Sequence, residues 1–294
     1  MRFGSDDDAD SSQIEDRRGS SFGGPMLIGG GGLGIVGVIA YVLIRLLGGD
    51  VQPDDGSGYQ PAPSASPSVP ENQQLGGSCQ GVTSESDPAK FISCVVSNVQ
   101  RFWARELPRH GAGYTPAHLV LFTQATPSGC GTASSATGPF YCPRDGKVYL
   151  DLGFFRELSQ RFGARGGDFA QAYVVAHEYG HHIQDLLGIE RRMRQMEAAD
   201  RSQRNALSVR LELQADCFAG VWGHAAYEKG TVSRAEIAQA LDAAAAVGDD
   251  RIQKEVEGRV NPETFTHGSA AERQRWFETG MRSGDVEACD TFAR

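Results

Sequence analysis

Five residues near the middle of the chain, His177-Glu178-Tyr179-Gly180-His181, restrict its fold more than any other feature. The arrangement H-E-x-x-H has chemical meaning only on a helix, where positions i and i+4 stack on one face about 6 Å apart. Two imidazoles then converge on one metal ion while the Glu between them reaches the ion's open side. The flanking residues predict such a helix over Phe169–Leu187. Asp168 reads as its cap, Phe169, Tyr173, Val174 and Ala176 supply apolar faces, and Gly188 stands where a left-handed residue ends the run.

Two histidines leave a catalytic zinc site one ligand short, because such sites take three protein ligands and keep a further position open. Downstream, Leu211, Ala215, Phe218 and Trp222 recur at helical spacing, with Glu212 and Asp216 together on an adjacent face. Taken alone, this acidic pair reads as a solvated stripe. Beside the histidines it reads differently: Glu212 completes a His177, His181, Glu212 set, and Asp216, one turn on, accepts the distal N–H of a ligating His.

The two stretches, H-E-Y-G-H-H-I-Q and E-L-Q-A-D-C-F-A-G-V-W, resemble the bacterial neutral zinc metallopeptidase family, and more broadly the gluzincins, from about Cys79 to the C-terminus. The resemblance implies a zincin fold, one Zn2+ held by His177, His181 and Glu212, and peptide-bond hydrolysis in which Glu178 activates a water on the zinc. It also points to His267, in Thr266-His267-Gly268, where related gluzincins place a His that faces the substrate. In zincins an edge strand holds the extended peptide or protein substrate, and Gly138-Pro139-Phe140-Tyr141 is the candidate here. A metzincin would need Gly at Gln184 and His at Leu187, so that class is excluded. His182 is turned about 100° around the helix from His181 and is expected to orient or pack against its neighbours.

Elsewhere the coarse pattern predicts helices near Pro88–Leu107, Leu152–Phe162, Ala206–Glu228, Arg234–Ala246 and Ala270–Met281. Short strands are expected near Leu119–Thr123, Phe140–Cys142 and Val148–Leu152. Strands before the metal helix and helices after it make an α+β domain, expected over residues 78–294.

Ahead of that domain the composition changes. Residues 1–25 are polar, acidic and Gly-rich and are expected to be a disordered cytoplasmic tail. From Met26 to Ile44 no charge interrupts about 19 residues, roughly 28 Å as a helix, which predicts a single transmembrane anchor over 26–47. Gly30 and Gly34 form a G-x-x-x-G within it. Residues 48–77, rich in Pro, Ser, Gly and Gln, read as a linker. Arg17 and Arg18 precede the apolar run, and no Lys or Arg occurs between Arg45 and Lys90, so the positive-inside rule puts the N-terminus in the cytoplasm and the domain outside it, at the cell membrane.

All six cysteines follow that run, as expected of an oxidising compartment. Of the fifteen possible pairings, the favoured one joins Cys79 to Cys94, Cys130 to Cys142 and Cys217 to Cys289. A net charge of −9 offers nucleic acid no basic surface. The competing functional readings are a membrane-tethered binding or scaffold protein that keeps the fold without turnover, and a zinc hydrolase acting on a non-protein polymer. Glu178 argues against the first, since a dead relative would usually lose that residue.

Overall fold

Strand β2 (Ile14–Asp16) lies in the central sheet of the domain, paired in parallel with β4 (His118–Phe122). The computed structural model describes residues 1–19, 72–162, 164 and 166–293. The sheet runs in the order β2-β4-β8-β7; β8 (Lys147–Asp151) is parallel to β4, and β7 (Phe140–Cys142) is antiparallel on the outer edge. In β4 the run Leu119-Val120-Leu121-Phe122 is buried throughout, as a strand covered on both faces must be. Among the described residues two smaller pairs complete the strands: β1 (Asp8–Ala9) with β3 (Gly77–Ser78), and the hairpin of β5 (Ala125–Ser128) with β6 (Gly131–Ser134), which the apolar pattern did not predict.

The expectation of a disordered N-terminal tail is therefore corrected for residues 1–19. Met1, Phe3, Ala9 and Ile14 are buried, Phe3 packs on Phe91 at 5.8 Å between ring centroids, and the Asp10 amide donates to Ser97 Oγ at 2.8 Å. Acidic and glycine content argued for disorder, but a few well-spaced apolar side chains suffice once the remaining strands are supplied from elsewhere in the chain. Arg17 and Arg18, read above as topology signals, take part in this surface: Arg17 bonds Glu15, Thr126 and the Pro127 carbonyl, and Arg18 pairs with Asp16. The expected anchor and most of the expected linker lie outside the described residues. The last residues of the expected linker are described, with a 3-10 turn at Asn72–Leu75 and then β3. Among the described residues, no helix is long and apolar enough to cross a membrane.

Helix α1 (Pro88–Glu106) starts where Asp87 accepts from the Lys90 amide and Pro88 opens the first turn. After it come α2 (Gly153–Phe162), α3 (Asp168–Leu186), α4 (Ile189–Ala199), α5 (Arg204–Glu228), α6 (Arg234–Ala246), α7 (Asp249–Glu257) and α8 (Ala270–Ser283). The result is a mixed, mainly helical fold with small sheets. Helices α4 and α7 were not expected, and the reason is physical: both are short and mostly charged, α4 burying no side chain fully and α7 only Asp249 and Gln253, so their few apolar positions give a weak signal. Asp168 does not cap α3. It is the first helical residue, and its Oδ1 accepts from the amide and hydroxyl of Ser84 at 2.9 and 2.6 Å. Gly188 does follow the helix in the left-handed conformation, at φ 70°.

Helix α3 packs against α1, α5 and α6, and α5 has its largest contact with α8. Trp103, Phe169, Phe218, Trp222 and Phe277 fill the core between them. Disulfides join Cys79 to Cys94, Cys130 to Cys142 and Cys217 to Cys289, the pairing favoured from the sequence.

Candidate metal centre

Gly180, inside the H-E-x-x-H stretch, sets how near the second helix can come. A Cβ placed there would lie 2.9 Å from the Ala215 carbonyl oxygen, so α3 and α5 are in backbone contact beside the histidines. Glu212, one turn before Ala215, is thereby carried to the face that bears His177 and His181. Its carboxylate spans both rings: Oε2 lies 3.2 Å from His177 Nε2 and Oε1 lies 3.5 Å from His181 Nε2. One donor atom from each of the three residues falls within 4.8 Å of the others. Two imidazole nitrogens and one carboxylate oxygen suit a catalytic zinc with a position left open. The three residues line a cleft of about 820 Å³ together with Glu178, His267, Tyr141 and Arg273 among others.

Each histidine is held at its far nitrogen. His177 Nδ1 lies 2.8 Å from Asp216 Oδ1, and His181 Nδ1 lies 2.9 Å from Gln184 Oε1. Both partners accept, so each Nδ1 donates and each Nε2 is left facing the Glu212 carboxylate. Gln184 also donates to the Leu211 carbonyl at 2.7 Å, fastening α3 to α5. Its role escaped the sequence reading, although a buried polar residue one turn after His181 was a usable signal.

The electrostatics follow from this crowding. Burial opposes charge on His177, but the Asp216 and Glu212 carboxylates outweigh it and push the imidazole up to about 10. Burial likewise opposes charge on His181, and Glu212 raises it. For Asp216 burial works upward, while Arg273 and His177 hold the carboxyl down at about 2. Glu212 is kept well below the carboxylate range by His181 and His177 against the same burial penalty.

Arg273 is the other residue that sequence reasoning missed, and Tyr173 does more than fill the core. Arg273, on α8, bonds Asp216 through Nε at 2.8 Å and Nη2 at 2.9 Å. Tyr173 packs on Phe277, the core role expected of it, and also donates to Asp216 Oδ1 at 2.5 Å.

The remaining candidates are placed as follows. Glu178 is buried against the cleft between the two histidines. His267 lines the same cleft, with Nδ1 3.1 Å from Asp249 Oδ1, and Asp249 Oδ2 accepts the amides of Thr266, His267 and Gly268. Burial lowers the His267 imidazole's affinity for a proton, and Asp249 more than restores it. His182 turns away from the centre, with Nε2 2.7 Å from the Thr115 carbonyl oxygen and Nδ1 3.2 Å from Tyr141 Oη. His224 bonds the Met281 carbonyl. Along one wall of the cleft runs β7, whose Tyr141 donates to Asp185 on α3 at 2.9 Å and so ties the sheet edge to the histidine helix.

Residues 2–292 match the family model described as "Putative neutral zinc metallopeptidase". The protein named "Uncharacterized protein YpfJ" from Escherichia coli is 42% identical over 291 residues, spanning 97% of this chain and 97% of its own length. "Uncharacterized protein Mb2605" from Mycobacterium bovis and "Uncharacterized protein Rv2575" from Mycobacterium tuberculosis are each 48% identical over 225 residues, covering 71% of this chain and 73% of theirs. Among solved structures there is no significant match.

Proposed function

The chain belongs to this neutral zinc metallopeptidase family, and from that premise we propose that it hydrolyses peptide bonds, with His177, His181 and Glu212 holding the zinc and Glu178 as general base. One observation carries the reading: three donor atoms from two helices converge within 4.8 Å at the wall of a cleft, with Glu178 beside them. Zinc bound by such a set supplies a Lewis acid that polarises the scissile carbonyl and brings the pKa of water towards neutrality. Glu178 takes the proton of the attacking water and returns it to the leaving amine. His267, held by Asp249, faces the negative charge that develops on the carbonyl oxygen. The edge strand β7 offers unpaired backbone groups to an extended substrate, which supports a peptide or unfolded protein segment as the occupant of the cleft. Incubating the purified protein with a denatured-protein or peptide library, with and without chelator, tests the reading. Chelator-sensitive cleavage is expected, and a zinc-loaded protein that cleaves nothing would refute it.

Membrane attachment through residues 26–47 is part of the same proposal, supported by the apolar composition of that run. The sequence reading put the N-terminus and the domain on opposite sides of the membrane. The pairing of β2 with β4 and of β1 with β3 requires residues 1–19 and 72–293 to share one compartment. Both are therefore proposed to be extracytoplasmic, which three disulfides favour, and the run 26–47, with both flanks on that side, is proposed to attach to the membrane without a single crossing.

A further inference from the structure

We infer that Arg273 is a positioning residue of the metal centre, acting on His177 through Asp216; the inference rests on the zinc reading above. Asp216 is fully enclosed and Arg273 is 4% exposed, so neither charge is answered by water. The guanidinium takes the carboxylate in a fork, Nε to Oδ2 and Nη2 to Oδ1, at 2.8 and 2.9 Å. A planar fork on two planar acceptors fixes the carboxylate's rotation as well as its charge, which a lysine ammonium cannot do. Tyr173 Oη adds a third donor at Oδ1. With its orientation set, Oδ1 stands 2.8 Å from His177 Nδ1, and the ring keeps its Nε2 turned towards Glu212. Helix α8 thus contributes no ligand and still orients one. Were Arg273 absent, Asp216 would be a buried carboxylate free to rotate or to recruit another cation, and His177 would lose its defined tautomer.

The experiment is a double-mutant cycle read as zinc affinity, measured on the full chain by competition with a chromophoric chelator. Wild type, Arg273→Met, Asp216→Asn and the double variant are compared. Arg273→Met is expected to weaken zinc by about 10–100-fold, as is Asp216→Asn, the usual cost of losing a residue that orients a ligand. In the Asp216→Asn background Arg273→Met should cost less than about threefold, because the path through Asp216 is already cut. Unchanged affinity in Arg273→Met, or losses that multiply in the double variant, would overturn the inference. Should Arg273→Met fail to fold, the double variant, which leaves no unpaired buried charge, is compared with Asp216→Asn alone. Equal affinity supports the inference, and a further tenfold loss refutes it. A wild-type chain that binds no zinc would overturn the zinc reading itself, a failure distinct from an altered pattern among variants that do bind.

Discussion

Gly220 of α5 and Gly280 of α8 meet where the two helices cross, and a Cβ on either would overlap the backbone of the other helix. This contact explains how a residue of the C-terminal helix reaches the metal centre: Asp216 lies one turn before Gly220, and Arg273 two turns before Gly280, on the facing sides. Replacing Gly280 with Ala should cost about 1–3 kcal/mol, the usual penalty for overpacking, and should lower the denaturant midpoint. An unchanged midpoint would mean that the crossing relaxes freely.

The division of labour within H-E-x-x-H gives a second expectation. Glu178→Gln should reduce peptide hydrolysis by at least about 10²-fold while the protein keeps about one zinc per chain, since the residue is proposed as base and not as ligand. Metal analysis alongside a peptide assay separates the two effects. Retained turnover would remove Glu178 from its role.

At the third ligand, Glu212→Ala should weaken zinc more than Gln184→Leu does. The first deletes a donor, whereas the second frees His181 to rotate and loosens the tie to Leu211, for a loss of about 10–100-fold. The reverse order, seen in the same chelator competition, would argue against Glu212 as ligand.

Asp249 and His267 predict a pH window. Burial works to raise the Asp249 carboxyl, but His267 and the amides of His267 and Thr266 hold it below its usual value. Its contribution to stability is therefore present above the unfolded carboxyl pKa and lost as pH falls through the lower folded value. For His267 the folded value is raised, so its share is complete below the unfolded imidazole pKa and lost as pH climbs through the folded one. Between about pH 4 and 6.5 the Asp249→Asn variant should be less stable than wild type by about 3 kcal/mol, and the gap should narrow on either side. Thermal melts across pH measure it; a gap that stays constant down to pH 2 would contradict the assignment.

Compartment can be read with an impermeant thiol reagent on intact cells. Ser5→Cys and Glu255→Cys, both at exposed positions, should label together. Labelling of only one would show that β2 and β4 do not pair in the cell.

What could be read along the chain is what lies close along it. His177, Glu178 and His181 are separated by helical spacing alone, so their convergence needs only one helix to form. Glu212 was legible because its own helix shows a phase and because two histidines leave a ligand missing. Cys130 and Cys142 flank a turn, so their pairing is local too. Arg273, Tyr173 and Asp249 could not be recognised in this way, because an arginine on an amphipathic helix, an aromatic in a core and an acid at a helix start are each the ordinary choice of their setting. The roles of Arg273 and Tyr173 come from helix contacts made possible by Gly180, Gly220 and Gly280, between residues distant in sequence, and that of Asp249 from the Thr266–Gly268 loop folded back on it. The strand at Ile14–Asp16 belongs with them. Three residues hold no stable conformation alone, and only the edge of β4, more than a hundred positions away, supplies the hydrogen bonds that make them part of the fold.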